Sequence, residues 1–339
     1  MEFLSEYGLF LAKAVTVVAA VLAVVLVVLA SAVRQKSDKG ELIITDLSEE
    51  LRDLTHYLKQ ELMSKKAFKA YEKAQKAKAK EAEKAGDDEQ GKVFVIDFKG
   101  SIDAAEVASL REEITAVLTI ADNSRDQVLV NVESGGGMVH GYGLAASQLA
   151  RLREAQIPLT VCVDKIAASG GYMMACVANK IYAAPFAIVG SIGVIAQIPN
   201  FNKLLKKHDI DYEQHTAGDF KRTLTVFGEN TEAGREKFRE ELEETHKLFK
   251  AFVGNYRPEL DLAKVATGEH WYGQQAIELG LIDAISTSDD LLLAHCQDSQ
   301  VIKLSYRQKR KLSDKLAHGA SALTGALMNK LAEKNQTIG

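Results

Sequence analysis

Residues 127–154 read QVLVNVESGGGMVHGYGLAASQLARLRE, and their order decides the fold. The run QVLVNVE at 127–133 has the length and β-branched content of a buried strand. It ends in Ser134-Gly135-Gly136-Gly137, and MVHGYGLAASQLARLRE at 138–154 then carries its apolar residues at helical spacing. The same grammar recurs on both sides. VFVIDF at 93–98 precedes a helix-period segment at 103–120, and PLTVCVD at 158–164 leads into Ala-Ala-Ser-Gly-Gly-Tyr at 167–172. Strands alternating with helices imply right-handed βαβ crossovers and a mainly parallel sheet buried on both faces. The expected fold class is therefore α/β, a layered domain.

Further along, AIVGSIGVIAQI at 187–198 is too short and too broken by glycine to cross a bilayer, and it reads as a buried strand and turn. NTEAGREKFREELEETHKLFKAF, from Asn230 to Phe252, opens with a polar cap candidate and early acids, as a helix should. Another helix is expected from Gly273 to Leu279.

The ends of the chain have a different character. Ala14 to Val33 contains no charged residue, and about 20 residues of helix span a hydrocarbon core roughly 30 Å thick. Glu2 and Glu6 open the segment where a cleaved signal peptide would be basic, so the run is expected to stay as a transmembrane anchor. Lys13 precedes the span and Arg34, Lys36 and Lys39 follow it, a bias that places the large domain in the cytoplasm.

The expected organisation is a short tail (1–13), the anchor (14–33), a charged linker that is helical or disordered (34–91), the α/β domain (92–300) and a basic C-terminal tail (301–339). In that tail Leu312, Leu316, Leu323, Leu327 and Leu331 recur at helical spacing. The stripe suits a partner subunit, a membrane surface or the chain's own domain. The lysine-rich end of the linker suits either an exposed spacer or contact with anionic lipid.

Composition removes several function classes. A net charge of -4 over 339 residues gives no support to nucleic-acid binding. Cys162, Cys176 and Cys296 have no metal-ligand spacing, so neither a zinc site nor a disulfide framework is indicated. No metal or organic cofactor is expected.

Two turns carry the candidate chemistry. Three consecutive glycines at a strand-to-helix junction can expose backbone N–H groups to an anion or an oxyanion. The spacing matches neither a phosphate-binding loop nor a dinucleotide fingerprint. Ser169 stands at a second such junction, where its hydroxyl can project into a crevice at the carboxyl edge of the sheet. Alone, it reads equally as the cap of the next helix. Two turns on successive strands can face each other, and that pairing favours a reactive serine.

A serine needs a base. His140, His208 and His215 are available, but none has neighbours that mark it as oriented. Lys221 follows the turn-like Thr-Ala-Gly-Asp at 216–219, although a lysine there is more commonly solvated.

Taken together, the anchor, the glycine turn, Ala-Ala-Ser-Gly-Gly-Tyr, Gly-Ser-Ile-Gly-Val at 190–194, Lys221 and His-Trp-Tyr-Gly-Gln-Gln-Ala at 270–276 resemble the signal peptide peptidase A family, most closely its SohB branch. The similarity runs from about Val93 to Ser286. It implies the Clp protease/crotonase-like fold of repeated β-β-α units and a serine endopeptidase with a Ser-Lys dyad. By motif, Ser169 is the nucleophile, Lys221 the general base and Ser191 the group that orients it, with backbone N–H groups of Gly137 and Gly170 as the oxyanion hole.

The same resemblance implies peptide substrates, such as signal-peptide remnants or small unfolded proteins, a homo-oligomer and a bacterial inner-membrane location. It favours the periplasmic side, against the charge bias. Where the family usually has Ser-Pro-Gly-Gly, this chain has Gly135 in place of the proline, a looser turn. The alternatives are a crotonase-like acyl-CoA enzyme, which would use the glycine turns to hold an enolate, and a silent membrane scaffold.

Overall fold

Alternating side chains of three neighbouring strands build two cores at once. In the computed structural model, which describes residues 40–85 and 91–308 together with Gly8, Lys13, Val15, Thr16 and Val18, β2 (Lys92–Lys99), β3 (Gln127–Glu133) and β4 (Leu159–Val163) pair in parallel. Phe94, Ile96 and Phe98 point with Val128, Val130 and Val132 to one face. There they meet Leu110 and Ile114 of helix α3 (Val107–Ile120) and Tyr142, Leu149 and Leu152 of helix α4 (Val139–Glu154). Val93, Val95 and Leu129 point the other way. They pack with Cys162, Val301 and Leu47, and with Leu291 and Leu292 of helix α10 (Ser288–Asp298). Because both faces are buried, the strands read as nearly continuous apolar runs.

The main sheet has seven strands in the order β1-β10-β2-β3-β4-β6-β9, with β1 at Glu41–Asp46, β6 at Lys180–Ala183, β9 at Ala284–Ile285 and β10 at Gln300–Arg307. A second, three-stranded sheet is made of β5 (Ile166–Ala168), β7 (Ile188–Gly190) and β8 (His270–Tyr272). This small sheet carries the site. In β5 and β7 Ala168 pairs with Gly190, so Ser169 and Ser191 leave parallel neighbouring strands at the same level.

Several boundaries differ from expectation, each for a local reason. The described part of the expected linker contains β1 and the helices α1 (Leu47–Leu62) and α2 (Lys65–Ala85). Here the Asp46 side chain caps α1 by accepting from Glu49 N–H. Ser48, only 2% exposed, accepts from Val301 N–H through Oγ at 2.8 Å, and Gln300 donates to Asp46. These bonds fasten α1 to β10. One compact unit runs from Leu42 to Tyr306, wider than the expected 92–300, and β10 belongs to its sheet rather than to a tail.

Helix α3 starts at Val107, because Ser101–Ala104 form a turn in which Ala104 has φ 53°. Thr231, not Asn230, caps helix α7 (Glu232–Tyr256) by accepting from Gly234 N–H. Only 188–190 of the segment 187–198 is strand, and Ile195 is 79% exposed rather than buried. The helix expected at 273–279 is the short α9 (Gly273–Ala276). Three further helices complete the chain order among the described residues: α5 at Gly170–Ala175, α6 at Asn202–Lys207 and α8 at Leu262–Val265.

Among the described residues no helix is long and apolar enough to cross a membrane. Nearly all of the apolar run Ala14–Val33, and the leucine stripe of the C-terminal tail, lie outside the described residues.

Glu113 on α3 is 6% exposed and accepts from Tyr306 N–H at 2.7 Å, which ties the helix to the end of β10. Burial pushes its carboxyl up to about 7, despite that hydrogen bond. A group protonated more readily when folded costs nothing below the ordinary value of 4.5 and its full amount above about 7. We therefore expect the Glu113→Gln variant, followed by denaturation of detergent-solubilised protein, to match wild type near the lower value. It should gain roughly 1–3 kcal/mol at about pH 8. Parallel stability curves across that range would show that the carboxyl carries no such penalty.

Candidate functional site

Ser134 is the residue through which the two turns meet. It forms a parallel bridge with Ala167: its N–H donates to Ile166 O at 2.8 Å, and its own carbonyl accepts from Ala168 N–H at 3.0 Å. Its Oγ accepts from Gly136 N–H and is hydrogen-bonded to the Tyr142 hydroxyl, which donates onward to Ser101 O. The glycine turn is thus pinned beside the strand that delivers Ser169.

Glycine is needed in these turns because backbone lies against backbone. Gly136 has φ 89°, and a Cβ there would stand 2.7 Å from both Ser169 Cβ and Gly170 N. At Gly137 a Cβ would meet Ile102 O at 2.0 Å, and at Gly170 it would meet the Tyr142 ring at 2.3 Å. Gly135 differs: a Cβ would touch only Ile166 Cδ1, at an ordinary 3.7 Å.

Ser169 itself has φ 52° and ψ -116°, and its side chain makes no capping hydrogen bond to the helix it precedes. Ser169 stands at the cap position, but its hydroxyl is not spent on capping. Such a backbone costs on the order of 1–3 kcal/mol in a non-glycine residue and persists only where the surroundings enforce it. Here Ser169 N–H donates to Gly190 O at 2.8 Å, and Met173 N–H donates to Ser169 O.

Ser191 also has a positive φ, 52°, directly after Gly190 at 92°. Its N–H donates to Glu269 O and its Oγ to Gly268 O. Among the described residues the N–H groups of Gly137 and Gly170 are committed to no acceptor.

These groups line one cleft of about 620 Å³. Gly135, Gly136, Gly137, Ser169, Gly170 and Ser191 form its polar floor, and Val139, Met173, Val194, Ile195 and Phe249 form apolar walls. Four of the five expected site residues are therefore brought together. Lys221 is not among them. It is exposed and lines a separate cleft of about 780 Å³ with His215, Arg222 and Phe227.

The three histidines noted in the sequence, His140, His208 and His215, are all exposed and outside the serine's cleft. His246 was missed, although it lines that cleft, half-buried on α7. Its spacing gave a signal: it stands three and seven residues before Phe249 and Val253, the buried face of that helix. Among the described residues no cluster of His, Cys, Asp or Glu is placed to hold a metal ion. Cys162 is a core side chain, 1% exposed, and burial pushes its thiol up to about 12.

Comparison with known proteins supplies the class. Residues 2–149 match the family described as peptidase family S49 N-terminal, and residues 151–301 match peptidase family S49. The chain is 51% identical to "Probable protease SohB" of Haemophilus influenzae, over 98% of this chain and 97% of that protein. It is 50% identical to "Probable protease SohB" of Buchnera aphidicola subsp. Schlechtendalia chinensis, over 87% of this chain and all of that one. Among solved structures it is similar to a lysine-to-alanine mutant of the 1510-N membrane-bound stomatin-specific protease in complex with a substrate peptide. That similarity has a TM-score of 0.41 and 15% identity, over 68% of this chain and 97% of the other.

The contrast among the glycines is directly testable by peptide hydrolysis. Gly136→Ala and Gly137→Ala should each lose about a hundredfold or more in kcat, since displaced oxyanion donors cost on that order. Gly135→Ala should stay within about threefold of wild type, because its Cβ has space and its backbone needs no positive φ. Equal losses at all three positions would contradict this account of the turn.

Proposed function

This chain belongs to peptidase family S49, in its SohB branch, and is a serine peptidase; from that premise we propose that Ser169 is its nucleophile, working with Lys221 as base in a membrane-anchored endopeptidase. The observation that carries the reading is the enforced geometry of Ser169 beside two uncommitted backbone donors. Ser169 Oγ attacks the scissile carbonyl and gives its proton to the base. The oxyanion is held by Gly137 and Gly170 N–H, the amine leaves with the proton, and water then releases the acyl group. Ser191 orients the base from the neighbouring strand end.

A general base must reach the hydroxyl it deprotonates, and Lys221 lines a cleft separate from that of Ser169. Lys221 must therefore move to serve. Its segment, 194–231, contains only the short α6 among its described elements and exposes Ile195, Phe201, Leu204, Ile210, Phe220 and Phe227. Apolar exposure on that scale suits a covering surface. We propose that a second copy of the chain provides it, in a homo-oligomer, and that the segment then carries Lys221 to the cleft.

The run Ala14–Val33 supplies the anchor in a bacterial inner membrane, and the peptidase domain takes the Clp protease/crotonase-like fold of β-β-α units. The open cleft with apolar walls suits extended, apolar peptides such as signal-peptide remnants or small unfolded proteins.

The test is hydrolysis of an unstructured peptide by the full, detergent-solubilised chain. Ser169→Ala and Lys221→Ala should each reduce kcat by about a thousandfold or more, and the double variant should be little worse, as members of one catalytic unit fail together. Full activity in Lys221→Ala would remove it as the base. Turnover of a CoA thioester that survives Ser169→Ala would support the crotonase-like alternative.

A further inference from the structure

His246 reaches the Ser191 turn from the helix side. Its Nε2 lies 3.2 Å from the carbonyl oxygen of Ile192, the residue after Ser191. A carbonyl only accepts, so Nε2 carries the hydrogen and this ring nitrogen is engaged as a donor. Ile192 is fully buried, and Phe249 and Val253, one and two turns further along α7, are buried as well. The histidine is therefore held on a packed helix face, and it holds a packed turn.

That turn needs holding. Gly190 and Ser191 are consecutive residues with positive φ, and the second has a side chain. From the small sheet and its neighbours, the turn is secured by Ser169 N–H on Gly190 O, Ser191 N–H on Glu269 O, and Ser191 Oγ on Gly268 O at a long 3.4 Å. The His246 bond is the one that ties it to α7, whose Thr245, His246 and Phe249 form a wall of the serine's cleft.

We propose that His246 is a positioning residue for this peptidase: by fixing the Ile192 carbonyl it sets the direction of the Ser191 hydroxyl, and through it the orientation of the base. The inference rests on the reading of Ser191 as the base-orienting group. It assigns His246 no proton transfer with Ser169.

A double-mutant cycle on the full, detergent-solubilised chain tests it, with kcat and KM measured separately for an unstructured peptide and thermal midpoints measured alongside. His246→Ala should lower kcat about tenfold, the order of one hydrogen bond, with KM moving less than about twofold and the midpoint falling because the buried Ile192 carbonyl loses its donor. His246→Gln, which keeps a donor near the same place, should recover most of that loss. In a Ser191→Ala background His246→Ala should cost nothing further.

A His246→Ala cost that is undiminished in that background would overturn the inference alone, as would unchanged kcat in the single variant. Loss of all activity in His246→Gln as well as in His246→Ala would instead assign the proton transfer to this ring and overturn the positioning role. Full activity in Ser191→Ala removes the premise, whatever His246 does.

Discussion

The hydrogen bonds between Ser134 and the strand Ile166–Ala168 are the constraint on which the site depends. They join the end of one strand of the large sheet to the first strand of the small one, so the glycine turn after Ser134 and the serine after Ala168 share a single register. A slip there would separate the proposed oxyanion donors, Gly137 and Gly170 N–H, from the proposed nucleophile. Tyr142 reinforces the junction from below, with its hydroxyl on Ser134 and Ser101 and its ring directly under Gly170. One buried side chain thus couples helix α4 to both turns. The strained backbone of Ser169 is held because everything beneath it is core: Ala167, Tyr172, Met174 and Val189 have essentially no exposure.

The two halves of the proposed dyad stand on very different supports. Ser169 rides on paired strands and a buried helix, whereas Lys221 rides on a segment with little regular structure and many exposed apolar side chains. Elements that rearrange are drawn from such lightly buried parts of a fold. In the proposed scheme the glycine turns beside Ser169 stay rigid and the base is completed only on assembly, so that an unassembled chain does not attack passing peptides. The small sheet and helix α7 are the parts that remain fixed in that scheme.

Much of this was legible in the sequence where local pattern and burial agree. The runs at 93–98, 127–133 and 158–164 are apolar on both faces because both faces are covered, and Gly136 and Gly137 mark a turn because backbone crowds backbone there. Strands β1 and β10 were not read, since ELIITD stands in a charged stretch and QVIKLSYR at the start of a basic tail, and the surrounding composition hid their alternation. His246 was hidden differently: its role depends on where helix α7 lies against the Ile192 turn, 54 residues away in sequence, a contact that no local pattern encodes. The position of Lys221 was likewise beyond reach, because a motif supplies identity and order but not the path of the chain between two motifs.

The central claim is that the hydroxyl of Ser169 is the group that becomes acylated. Reaction of the full chain with a slowly released acyl donor, followed by peptide mapping in a mass spectrometer, tests it most directly. The account predicts one stoichiometric adduct, on the peptide containing Ser169, that disappears in the Ser169→Ala variant while the fold is retained. An adduct on any other residue that forms at the same rate in Ser169→Ala would contradict it.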